Sequence, residues 1–214
     1  MRVIALDISS KTGYAIFDDG KPVAWGTIFP DKTPKDFGEY PFNYPEWAAY
    51  TIGRLFNEVI TKYHNDDTCL VVEETNGSSK NNYSQKQLEF LHNHLLQALW
   101  ADGIKKVFYV RTGEWRKAVN ARLSKEEKSL NSKISRIKKK TGKKLAKIDG
   151  KVVGRKGRKH VSIRVVGELL GIELQRKDED TADALLLGLG YLRGAPVADG
   201  TTTGGKSSNE KASN

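Results

Sequence analysis

Apolar residues fall along this chain in two rhythms, short runs and helical spacings, and their order outlines a fold. Val3-Ile4-Ala5-Leu6 is a continuous apolar run ending on Asp7, the pattern of a central strand. Ser9, Ser10 and Lys11 predict a turn, Gly13 to Phe17 a second strand, Asp19-Gly20 a hairpin turn and Val23 to Phe29 a third strand. Residues 30–45 mix Pro, Asp, Phe and Tyr without a period and read as a long irregular connection. From Glu46, the positions Ala49, Ile52, Leu55, Phe56, Val59 and Ile60 recur at helical spacing, ending near His64. Cys69-Leu70-Val71-Val72 reads as a fourth strand that delivers Glu73 and Glu74, with a loop at Asn76 to Ser79 behind it. Leu88, Leu91, Leu95, Leu96 and Leu99 mark a second long helix, closed near Gly103. Val107 to Val110 is a fifth strand, and Trp115 to Val119 a short helix.

Beyond Val119 the pattern thins. Residues 120–157 hold few apolar side chains; Ser124 to Lys140 can form a charged helix, and Ile148 to Val153 a small hairpin around Asp149-Gly150. Helical spacing resumes from about Val161 to Leu170, stopped by Gly171, and again from about Asp180 to Leu192. Residues 194–214 are Gly, Ser, Thr, Asn and Lys without periodicity, which predicts a disordered tail. Three strands in succession followed by alternating helices and strands predict an α/β architecture. The expected form is one domain over residues 1–193: a mixed five-stranded sheet flanked by helices, with an insertion before the last two.

Charge changes this picture most in the insertion. The 214 residues carry 36 Lys+Arg against 26 Asp+Glu, a formal charge of +10. Arg116 to Lys159 alone holds 18 basic residues and three acids, net +15, so the rest of the chain is net −5. Lys138, Lys139 and Lys140, and then Arg155, Lys156, Arg158 and Lys159, are the densest clusters. Such concentration suits contacts to nucleic-acid phosphates, which hold a backbone without reading its sequence. A solvated basic loop with no fixed partner is the plainer alternative. The single Cys69 excludes an internal disulfide or a multi-Cys zinc site and predicts a reducing compartment, the cytoplasm. No apolar run approaches membrane-spanning length, and Met1 to Asp7 reads as a strand rather than a signal peptide.

Four acids stand where chemistry is expected. Asp7 and Glu73 each finish an apolar run, and a carboxylate there needs a cation, a proton or several donors. Asp180 and Asp183 are three apart at the start of the last helix and share a face; an N-cap and a first-turn acid is the alternative for that pair. Converged, the four would offer hard oxygen ligands suited to Mg²⁺ or Mn²⁺, and two such ions can drive phosphodiester hydrolysis. Asp178 and Glu179 read as exposed acids beside the helix start, Glu74 as exposed or supporting, and His92 and His94 as surface or interface residues.

These residues carry a family resemblance. Asp7 followed by Thr12-Gly13-Tyr14-Ala15, then Val72-Glu73, then Asp180-Thr181-Ala182-Asp183-Ala184-Leu185 resemble, in order, the motifs of the RuvC family of Holliday-junction resolvases, within the ribonuclease H-like superfamily. The resemblance covers residues 1–119 and 158–193. It implies a ribonuclease H-like fold and a homodimer that binds four-way DNA junctions and related branched DNA, nicking two opposing strands symmetrically with Mg²⁺ or Mn²⁺. It implies Asp7, Glu73, Asp180 and Asp183 as metal ligands. Arg116 or Lys117, and Lys159, sit where the family carries basic residues near the active site. Ile8-Ser9 replaces the family's Pro-Gly after the first aspartate. The loop behind Glu73 has Asn76-Gly77 where a wedging aromatic is common, leaving Tyr83 as the nearest aromatic for DNA. The basic insertion resembles the elaborated forms found in phages, so the expected setting is the cytoplasm of a bacterial or phage-infected cell. The helix from Leu88 to Leu99 is the expected dimer surface unless its leucines serve the core. A less selective nuclease on flaps, single strands or RNA–DNA hybrids, and a non-catalytic junction-binding protein, are the competing readings.

Overall fold

A computed structural model describes residues 1–75, 82–142 and 146–199. Strands β1 (Arg2–Asp7), β2 (Thr12–Asp18) and β3 (Lys21–Ile28) form an antiparallel meander. Helix α1 (Asn43–Leu55) follows, prolonged by a π turn (Phe56–Ile60) and α2 (Thr61–Tyr63). Then come β4 (Thr68–Glu73), α3 (Asn82–Ala101), β5 (Val107–Val110) and α4 (Thr112–Ala118). The insertion folds as α5 (Lys125–Thr141) and a hairpin of β6 (Ala146–Ile148) and β7 (Lys151–Val153). The chain then forms α6 (Arg158–Leu170), α7 (Glu179–Leu192) and β8 (Val197–Asp199).

The sheet order is β3-β2-β1-β4-β5-β8, with β1, β4 and β5 parallel and the rest antiparallel. It has six strands rather than five. The sixth comes from the stretch expected to be tail, where Val197-Ala198 is too short a run to carry a period; residues 200–214 lie outside the described residues. Both two-residue turns form as expected, with positive φ at Asp19-Gly20 and Asp149-Gly150. Helix α1 begins one turn before Glu46, because Pro45 is tolerated in a first turn whose N–H groups lack partners anyway. Likewise α6 starts at Arg158, not Val161, which puts Lys159 in its first turn.

Strand parity sorts the chain into two cores. Ile4, Leu6, Ile16, Leu70 and Val72 face α1 and α3, whereas Val3, Ala5, Ala15, Phe17 and Val71 face the side covered by α4, α6 and α7. Asp7 and Glu73 continue the second series, so both carboxylates emerge on the α7 side of one sheet end. Leu91, Leu95 and Leu99 of α3 are fully buried against the sheet and serve the core, while Leu88 and Leu96 of the same helix are partly buried. Among the described residues no helix is long and apolar enough to cross a membrane.

The insertion is docked. A capping box at Ser124 and Glu127 starts α5, Ile134 and Ala146 are fully buried, and Glu127 bonds the Arg164 guanidinium of α6 at 3.1 and 3.2 Å. His160 Nε2 stands 3.1 Å from the same carboxylate. Asn131 grips the main chain of Lys156 from both sides, accepting its N–H at 2.7 Å and donating to its carbonyl at 2.8 Å.

Candidate active site

Helix α7 brings Asp180 and Asp183 to the strand ends because its approach to the sheet is unusually close. A Cβ on Gly13 of β2 would lie 2.0 Å from the Asp180 carbonyl oxygen, and one on Gly190 would lie 2.8 Å from Trp115 Cβ. A hydrogen bond of 2.8 Å between Thr27 and Thr181 hydroxyls fastens the same end of α7 to β3. Ser9 shapes the turn behind Asp7: its hydroxyl accepts from the Lys11 N–H at 3.1 Å and donates to the Lys11 carbonyl at 2.8 Å.

Each acid of the quartet holds its proton more tightly than usual, and burial is the largest cause in all four. The Asp7 carboxyl is pushed well up, next by Glu73, then Asp183 and Asp180, with Lys159 opposing. Among the described residues none donates a hydrogen bond to it. Glu73 is held by Thr112 Oγ1 at 2.5 Å and by Trp115 Nε1 at 2.9 Å; both bonds favour its ionised form without overcoming burial. Asp183 accepts from Arg116 at 2.9 Å and Ser162 Oγ at 2.5 Å. Asp180 lies 3.8 Å from Lys159 Nζ, which also bonds Glu179. Glu179 is therefore a half-buried partner of Lys159, not an exposed acid. Asp178 is half-buried rather than exposed and accepts from the Gln175 N–H at 2.9 Å.

The sequence-expected site thus assembles in part around these acids and in part nearby. Arg116, not the exposed Lys117, reaches the carboxylates, its guanidinium 4.4 Å over the Trp115 ring. Arg155, Lys156, Arg158 and Lys159 line one cleft of about 550 Å³ at the start of α6, joined by Arg176. Lys138, Lys139 and Lys140 lie apart, in the last turn of α5. Tyr83 falls in α3, with its side chain outside the described residues. Thr112, Trp115, Ser162 and Arg176 were not singled out in the sequence. The spacing of Thr112 and Trp115, three apart on α4, was a usable signal for a pair gripping one group. Glu74 pairs with Arg111 at 3.0 Å. His92 is buried, not superficial: Nδ1 is 3.3 Å from the Tyr109 hydroxyl, and burial lowers its pKa to about 4.

The donor set is all carboxylate oxygen, of the kind Mg²⁺ and Mn²⁺ prefer. Among the described residues no three acids, histidines or cysteines are gathered closely enough to hold an ion as they stand. Glu73 and Asp183 are each held by protein donors, and the other three acids all raise the Asp7 pKa. The residues fit a divalent cation, provided Arg116 and Ser162 yield Asp183.

No family model and no curated protein matches the sequence. Its structure matches that of RuvC from Thermus thermophilus in complex with a Holliday junction substrate at a TM-score of 0.55. The identity is 15%, over 90% of this chain and 93% of that one. The chain has the RuvC fold. A second Thermus thermophilus RuvC structure aligns over 90% of this chain and 94% of its own, at 14% identity and a TM-score of 0.49. The yeast mitochondrial Holliday junction resolvase Ydc2 aligns over 89% and 77%, at 15% identity and a TM-score of 0.45. The six-stranded mixed sheet with flanking helices is the α/β, ribonuclease H-like class expected from the sequence.

Proposed function

We propose that this chain is a metal-dependent endonuclease of the cytoplasm that resolves four-way DNA junctions and related branched DNA by paired symmetric nicks. The observation that carries the reading is the Asp7 carboxylate, whose ionisation is opposed by burial and by Glu73, Asp183 and Asp180 and which has no protein donor among the described residues, at the strand ends of a RuvC fold. Two divalent ions held by these four residues would activate a water for attack on phosphorus and stabilise the leaving 3′ oxygen. The chain's own groups have separable tasks. Thr112 and Trp115 fix the orientation of Glu73 and favour its ionised form. Lys159 and Arg116 supply cationic donors for the scissile phosphate and its neighbour, each now bonded to an acid of the site. Arg155, Lys156, Arg158 and Arg176 extend that field along the duplex arm, and Lys138 to Lys140 meet phosphates further out. Symmetric nicking requires two such sites, hence a homodimer.

The test is cleavage of matched four-way, Y-shaped and RNA–DNA hybrid substrates with Mg²⁺, Mn²⁺ or EDTA, mapping products on all four junction strands. Paired nicks on opposing strands, only with metal, are expected. Equal cutting of every substrate would favour the unselective nuclease. Tight junction binding without cleavage under any metal would favour the non-catalytic protein.

A further inference from the structure

Away from the acids, the cleft with the most defined chemistry lies between the β3–α1 connection and the first half of α3. Tyr40, Pro41, Tyr44 and Phe90 line a hollow of about 290 Å³ together with Lys86 and Gln87. Past Tyr40 and Tyr44 it continues into a recess of about 570 Å³ bordered by Thr33, Lys35 and Asn43. Asn43 is 8% exposed, and its Oδ1 is buried and has no hydrogen-bond partner among the described residues. Buried side-chain acceptors are seldom left unpaired; Asn43 borders the recess, and a turn of its amide would bring Oδ1 to a ligand's N–H there. Tyr40, which borders both hollows, is 71% exposed, an aromatic face presented to solvent.

Topology sets this cleft at the working end of the sheet. Strand β3 ends at Ile28 opposite Thr12, beside the Asp7–Gly13 pair, so the connection that carries Tyr40 leaves from the end bearing the acids. Helix α1 must run from there back to the start of β4, and α3 starts beyond the Glu73 end of β4 and runs back to β5. Both helices therefore begin at that end. Lys35 and Lys86 give the rim a positive balance over Glu89.

We infer that this cleft receives a single unpaired nucleobase from branched DNA. The base stacks on Tyr40, Asn43 Oδ1 accepts a hydrogen bond from one of its N–H groups, and Lys86 and Lys35 meet the flanking phosphates. The inference rests on the branched-DNA reading above and adds to it a recognition site separate from the carboxylates. Aromatic faces accept any base, whereas a fixed amide acceptor discriminates among N–H positions. Bases at a branch point leave the stack most readily, which is why an aromatic hollow belongs on a protein that grips branches.

The experiment uses four-way junctions with 2-aminopurine, or an abasic residue, at each position next to the crossover, bound in EDTA so that no strand is cut. A fluorescence change at one position is expected with the wild type and lost in Tyr40→Ala, whose exposed side chain is dispensable for folding. An abasic residue there should weaken wild-type binding roughly 5- to 150-fold. It should weaken Tyr40→Ala by at most about twofold more, because the two losses share one interaction. Asn43→Ala should change the ranking of bases at that position. Additive losses, or none, would overturn the inference while junction cleavage leaves the functional reading standing. A fall in oligomeric mass of Tyr40→Ala, with binding loss independent of the abasic residue, would reassign the cleft to contact between copies. Failure of the wild type to bind any branched DNA would sink both.

Discussion

Replacing Gly13 by alanine is the sharpest probe of how α7 carries its aspartates. The added Cβ would stand 2.0 Å from the Asp180 carbonyl oxygen and 2.4 Å from its carbonyl carbon, where real Cβ atoms essentially never come within 3.0 Å of a neighbour. Both obstacles are backbone, so no side-chain rotation relieves them; the first turn of α7 must retreat by about 1 Å. Overpacking of this kind costs about 1–3 kcal/mol, and the Thr27–Thr181 hydrogen bond is stretched along with it. A displacement of about 1 Å in a group that holds reactants costs roughly 10²-fold in rate. Gly13→Ala should therefore unfold at lower urea concentration and cut junctions roughly 100-fold more slowly, with binding in EDTA little changed. Gly53→Ala is the control: it lies within α1, where a Cβ meets nothing within 4 Å, and it should gain about 0.5–1 kcal/mol. Wild-type cleavage and an unchanged urea midpoint for Gly13→Ala would refute the claim that this close approach sets the site.

Other substitutions test other links. Asp7→Asn should abolish cleavage, keep junction binding and, in EDTA, raise the melting temperature, since it removes the most strongly repelled carboxylate. A carboxyl whose folded pKa is raised penalises folding fully above that pKa and not at all below its unfolded value near 3.8. Metal-free wild type should thus gain stability relative to Asp7→Asn as the pH falls through the raised pKa toward the unfolded value near 3.8, and a constant difference by calorimetry would contradict the assignment. Added Mn²⁺ should raise the melting temperature of wild type but much less that of Asp7→Asn. Changing Lys138, Lys139 and Lys140 to glutamine should reduce the slope of log binding constant against log salt by about 0.9 for each phosphate that is no longer neutralised; an unchanged slope would leave those lysines without a DNA role. Asn131→Ala should cost about 1–3 kcal/mol in urea unfolding by freeing the Lys156 main chain, and slow cleavage more than it weakens binding.

What the residue pattern could convey follows from which interactions are local. The strands ending in Asp7 and Glu73, the hairpin turns and the pairing of Asp180 with Asp183 on one helix face all depend on spacing within a few residues, and they were legible. The donors that hold those acids were not. Trp115 reaches Glu73, and Arg116 and Ser162 reach Asp183, across 42, 67 and 21 residues, with no periodic trace. The insertion looked like a charged appendage because its contacts to α6 run through Glu127 and Asn131, polar residues that a hydrophobic pattern counts as surface. His92 misled for the opposite reason: an imidazole buried against a tyrosine looks, in sequence, like any polar residue on a helix. Deleting the insertion outright would consequently disturb α6 and Lys159 as well as the charge.

The quartet joins the first strand of the chain to its last long helix, which on the proposed reading decides when the protein becomes able to cut. A chain still on the ribosome presents Asp7 and Glu73 well before Asp180 and Asp183 have been made. The basic segment, which lies between them, emerges before the second pair of acids does. On the proposed reading, a chain that has emerged past the basic segment but not yet to α7 would carry the charge for DNA before the full set of acids. Truncation between the basic segment and α7 would, on that reading, leave the phosphate-binding charge without the second pair of acids.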